Sequence, residues 1–271
     1  MGRRIASVVV LAISVAACGG RSLTEPDPGV AAPPPGQVAQ AALPPHIFGA
    51  FAASADVPEI GPQGGNVVVV VPSYSDDPER VALALQGNGK TAIVTAHHVF
   101  GNPRAGWVAG WQQLREWMRP LEARGLVAAV YVVDEPLHNG IPAATRDEAI
   151  AIVRSAGYRT IVAEGIDRAI GAARPPVDLY GVTCYDWPGY GGWSQARCLT
   201  AYRDRPSWDL VIGQGFDLHP RNGTAQQQLE AWAALGRERA GVLFWVARWP
   251  GQMGILDDGE LLAAYREAAT R

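Results

Sequence analysis

The chain is poor in charge, cysteine and long apolar runs. Charged residues make up 18% of 271, and the formal net charge is -3. No basic run occurs, so nucleic acid is not an expected partner. The one conspicuous apolar run, residues 5–17, is too short to span a bilayer, and no later stretch is long enough to do so. No glycine-rich phosphate loop follows a strand, which argues against a doubly wound dinucleotide-binding sheet. The serine-bearing stretch Pro72-Ser73-Tyr74-Ser75 forms no nucleophile elbow. No His-x-x-x-His or Cys-x-x-Cys spacing is present, so neither a metal nor a cofactor is expected.

What is there begins with targeting. Met1-Gly2-Arg3-Arg4 is a short basic region, and the apolar run behind it has the length of a signal-peptide core. The run ends Val15-Ala16-Ala17-Cys18. Small residues followed by cysteine resemble the lipobox of bacterial lipoproteins. That resemblance implies cleavage before Cys18, lipid on Cys18, and a chain exported and anchored to the bacterial cell envelope, on its periplasmic or surface-facing side. More than one acyl chain makes such an anchor firm. Loss of Arg3 and Arg4 would take the net charge from -3 to -5. Seven of the twenty residues from Pro26 to Pro45 are proline, and a stretch so poor in bulky apolar groups stays extended. The expected organisation is a signal peptide over 1–17, a lipidated cysteine and Pro/Ala-rich linker over 18–45, and one folded domain over 46–271.

The folded part alternates β-rich runs with helical patterns. Strands are expected at 46–51, 66–71, 91–96, 127–133, 160–163, 177–183, 209–213 and 241–246. Helices are expected at 76–85, 105–124, 143–155, 195–203, 224–237 and 259–270. Five consecutive valines, Val67 to Val71, suit a strand buried on both faces, as in a parallel sheet. Asp76 or Asp77 with Pro78 marks a helix start. The link between strands five and six is short, and a helix there is doubtful. Eight strands over this length predict a single α/β domain, a (β/α)8 TIM barrel.

In such a barrel chemistry sits where strands end. His97 and His98 follow strand three, Asp134-Glu135-Pro136 strand four and Glu164 strand five. Tyr185, Asp186 and Trp187 follow strand six, Gln214 and Asp217 strand seven, and Trp245 lies on strand eight. Two acids directly after an apolar strand are costly near a core. Crowded carboxyl groups raise one another's pKa, and a carboxyl that keeps its proton can donate it to a leaving oxygen. The bland alternative makes Asp134 a helix cap and leaves Glu135 facing water. Tryptophans at strand ends, namely Trp187, Trp193, Trp245 and Trp249, suit the flat faces of sugars. Trp107, Trp111 and Trp117 fall on a helix and are expected to pack inward. Cys184 and Cys198 form an even pair outside the cytoplasm and are expected to be a disulfide rather than two separate thiols.

Glu135-Pro136 at the end of strand four resembles the acid/base position of TIM-barrel glycoside hydrolases. Trp245 resembles the tryptophan that floors their sugar site, and Thr183-Cys184-Tyr185-Asp186 is similar to the Tyr-Asp of chitinase-like enzymes. The adjacent Asp-Glu pair resembles that of N-acetylhexosaminidases, in which the substrate's acetamido group attacks. The resemblance implies hydrolysis of an envelope or extracellular glycan, with Glu135 as general acid and Asp134 and Asp186 assisting. It implies sugar contacts from His97, His98, Tyr185, Trp187, Gln214 and Trp245. Gln214 stands where retaining members with two glutamates carry their nucleophile, and an amide cannot take that role. The alternative is a non-catalytic glycan-binding or envelope-assembly lipoprotein.

Overall fold

A computed structural model describes residues 40–186, 193–248 and 250–271. The expected signal peptide, Cys18 and most of the expected linker lie outside them. Eight parallel strands close into a barrel in chain order: β1 (Ile47–Ala53), β2 (Val67–Val71), β3 (Thr91–Thr95), β4 (Val127–Asp134), β5 (Thr160–Gly165), β6 (Leu179–Thr183), β7 (Leu210–Gln214) and β8 (Gly241–Trp245), with β8 pairing back to β1. The helices between them are α1 (Val57–Ile60), α2 (Pro78–Gly87), α3 (His97–Phe100), α4 (Trp107–Ala123), α5 (Ala143–Ser155), α6 (Ile166–Ala169), α7 (Gln195–Arg203), α8 (Ala225–Arg237) and α9 (Gly259–Thr270). The protein is a (β/α)8 TIM barrel.

Side-chain alternation along the strands builds two cores. Val67 and Val69 point with Phe51, Ile93, Tyr131 and Leu243 into the barrel, while Val68 and Val70 pack against the helices. A strand buried on both sides needs apolar residues at every position, and this explains the valine run. Trp107, Trp111 and Trp117 are buried in the outer core. Gly213 in β7 is required by Trp232 of α8, since a Cβ there would lie 2.8 Å from the indole Cγ.

Helix starts follow the local chemistry. Asp77 accepts from the backbone N–H of Glu79, Thr224 and Gln227 form a reciprocal capping box, and Asp258 accepts from Glu260 and Leu261. The doubtful link between β5 and β6 contains only the single turn α6. The last residues assigned to the linker pack on the barrel instead. Ala41 donates to the Val127 carbonyl, Arg159 donates to Gln40 and Ala41, and Leu43 closes the inner core from below. Cys184 and Cys198 are joined, which ties the end of β6 to α7.

Candidate active site

The site is organised by an irregularity in β4. Tyr131 pairs with Ile161, but Val133 pairs with the next residue, Val162, so one extra residue is inserted. A bulge of this kind resets the inward–outward alternation beyond it. Ala129 and Tyr131 point into the barrel, Val132 and Val133 both join the outer core, and Asp134 turns back to line the barrel mouth. The Tyr131 hydroxyl donates to Asp134 Oδ1 at 2.6 Å. The Asp134 backbone N–H donates to His97 Nδ1 at 3.2 Å.

Glu135 follows with a φ of 44°, in the left-handed region that non-glycine residues rarely occupy. Its N–H donates to the Ala163 carbonyl, which keeps it on the edge of β5. Its side chain is 9% exposed and accepts a hydrogen bond from the Thr183 hydroxyl of β6. Strain of this sort is retained where surrounding contacts over-determine it, and functional sites are where it clusters.

Burial pushes both carboxyl groups up. For Asp134 the Tyr131 hydroxyl, His97 and His138 act against burial. For Glu135 the negative charges of Asp134 and Glu164 add to burial and outweigh the Thr183 hydrogen bond, raising it to about 8. The two carboxyl groups titrate as a pair, and burial with their mutual repulsion favours a state in which they hold a proton between them. Among the described residues, neither acid is ion-paired with an arginine or lysine.

Asp134 opens on a cavity of about 200 Å3 walled by the rings of Phe51, Tyr131, His97, His98 and Trp245. His98 shares a 2.6 Å hydrogen bond with Tyr74, an exposed residue of the β2–α2 loop. Burial, helped by His97, lowers the His98 imidazole to about 4. Both histidines lie on α3 rather than in an open loop.

The remaining strand-end acids do other work. Glu164 is 1% exposed and accepts from the N–H groups of Leu137, His138 and Gly165, so it anchors the chain after β4. Burial raises it, and those three N–H groups oppose the rise. Asp186 is gripped by Arg221, with Nε at 3.1 Å, and by Asn222 at 2.7 Å. Burial opposes ionisation of Asp186, but these partners prevail and hold it below the usual carboxylate range. Gln214 does not reach into the cavity. Its Oε1 accepts from the Asp186 N–H, and its Nε2 donates to the carbonyls of Phe216 and Asp217. The amide is thus a brace between the ends of β6 and β7, because a buried amide must satisfy both its ends. Asp217, also at positive φ, is bound to the backbone of Met253.

Tyr185 is buried in the inner core against Phe216, and burial together with Glu135 and Asp134 raises its hydroxyl. Trp193 is covered by the Arg197 guanidinium, 3.8 Å from the ring, and is not part of the cavity. Trp187 and Trp249 lie outside the described residues. Sequence reasoning gave no site role of their own to Tyr131, Thr183, Phe51 and Tyr74. Tyr131 left a signal, as the one polar-tipped side chain in the apolar run of β4.

No family model matches the chain, and no curated protein matches it in sequence. Solved structures share its fold. The Pseudomonas stutzeri endoglucanase Cel5A is 14% identical with a TM-score of 0.55, over 80% of this chain and 85% of that one. A beta-glucosidase is 12% identical with a TM-score of 0.52, over 80% and 87%. Catalytic domain 2 of the Ostrinia furnacalis Group II chitinase is 11% identical with a TM-score of 0.50, over 84% and 97%. At such identities the likeness is one of fold, and the chain is similar to glycoside hydrolase barrels over most of its length.

Proposed function

We propose that this barrel hydrolyses O-glycosidic bonds of an envelope or extracellular glycan, with Glu135 as the general acid. The observation that carries the reading is the β4 bulge, beyond which Asp134 lines the cavity at the barrel mouth and the adjacent Glu135 is buried against Thr183, where its protonated form is favoured. A protonated carboxyl can donate to the leaving oxygen as the bond breaks. In the reaction Asp134 would be the group that supplies negative charge where the oxocarbenium-like transition state is positive. Trp245, Phe51 and Tyr131 give the sugar an aromatic wall. The fold shared with the endoglucanase and the beta-glucosidase supports the reading. The test is release of reducing ends from a polysaccharide panel that includes chitin and peptidoglycan fragments, by the native chain and by Glu135→Gln. Loss of activity in the variant supports the assignment, and unchanged activity removes Glu135 from the mechanism.

A second reading, a glycan binder without catalysis, draws on Gln214, whose amide is committed to backbone at the end of β7. Binding of a glycan without release of reducing ends would select it. We also propose that Cys18 carries lipid and anchors the chain to the cell envelope. Incorporation of labelled fatty acid should disappear in Cys18→Ala, and label retained in the variant would refute the anchor.

A further inference from the structure

The cavity beside Asp134 has a chemistry more particular than sugar binding in general. The Phe51 ring centroid lies 5.4 Å from that of Tyr131, edge-on, and 5.0 Å from that of Trp245. The three rings form one continuous wall. Ring faces carry negative potential and attract cations. Asp134 is the one acid among the lining residues, and no lysine or arginine is among them. His98, held down to about 4, brings no positive charge at neutral pH. A pocket of aromatic rings and one carboxyl group disfavours an anion, and Thr95, His97 and His98 beside them can meet a sugar's hydroxyl groups. It complements a positive group twice, through charge and through the rings.

We infer that this cavity takes the protonated amine of a hexosamine residue, a sugar whose amino group is free, with the ammonium against Asp134 and the apolar edge of the ring against Trp245 and Phe51. The inference rests on the proposal that the barrel acts on a glycan, and it narrows the substrate to one bearing free amines. Size agrees. At about 200 Å3 the cavity has the room of roughly six or seven waters at ~30 Å3 each, enough for one amine-bearing edge of a sugar and not for a chain. The polymer on either side would lie outside it.

Calorimetric titration of the full chain with glucosamine, glucose and N-acetylglucosamine is the test. Glucosamine should bind at least about tenfold more tightly than either of the others, which is ~1.4 kcal/mol. Asp134→Asn should reduce glucosamine to the affinity of glucose. The native comparison stands by itself if that variant does not fold. Glucose or N-acetylglucosamine binding as tightly as glucosamine overturns the inference. Amine selectivity without cleavage of any glycan would uphold it and remove the enzymatic reading. Cleavage of a glycan without amine selectivity would do the reverse.

Discussion

Glu135→Gln should stabilise the protein while it disables it, by a margin that depends on pH. The folded state holds Glu135 at about 8 against a usual value of 4.5, because burial and the neighbouring charges disfavour its ionised form. A group raised in the folded state contributes its full stability below the unfolded value and loses it as pH climbs to the folded one. Each pH unit in that interval is worth 1.36 kcal/mol, so the native protein forfeits at most about 5 kcal/mol by pH 8 and about 3 kcal/mol at pH 7. Glutamine keeps the shape and can still accept from the Thr183 hydroxyl, but it does not ionise. Any cost of burying its amide is constant with pH, so the slope is diagnostic. Urea unfolding of both proteins at pH 5, 7 and 9 should show the gap in stability widening in favour of the variant and levelling above pH 8. A gap that stays constant across that range refutes a raised Glu135.

Two further outcomes follow from the same neighbourhood. Thr183→Val removes the hydroxyl that favours ionised Glu135, so the loss of stability with rising pH should extend beyond 8. An unmoved limb, read by the same unfolding series, would dissociate Thr183 from Glu135. Reduction of Cys184–Cys198, whose partners are 14 residues apart, should cost about 3 kcal/mol in the chain-entropy model. Urea midpoints with and without reductant measure it, and coincident midpoints would show that the bond adds nothing.

Most of the fold was legible because its pattern is local. The valine run and the Asp-Pro helix start each declare themselves within a few residues, and the order of strands and helices names the barrel. The short helices were not legible. α1, α3 and α6 are four residues each, shorter than any periodic signal. The packing of residues 40–43 was hidden for another reason: a proline-rich composition reads as tether, while Arg159 and the base of the barrel are what hold it.

The site was legible by position and not by direction. Strand ends located Asp134, Glu135, Asp186 and Gln214, but whether a side chain faces the mouth depends on register. The β4 bulge turns Asp134 inward and sends Glu135 toward β6, and nothing in Val132-Val133-Asp134 announces an extra residue. Likewise the fate of Asp186 was set by Arg221 and Asn222, some 35 residues away in sequence. Long-range partners decided which acids are available, and a single sequence does not show them.

Reducing-end release from a polysaccharide panel, comparing the native chain with Glu135→Gln at pH 6, bears most directly on the central claim. The native chain should cleave at least one glycan, and the variant should lose about a hundredfold or more of that rate, the scale of general acid catalysis. A native chain that cleaves none of the panel, or a variant that cleaves as fast as the native chain, would contradict it.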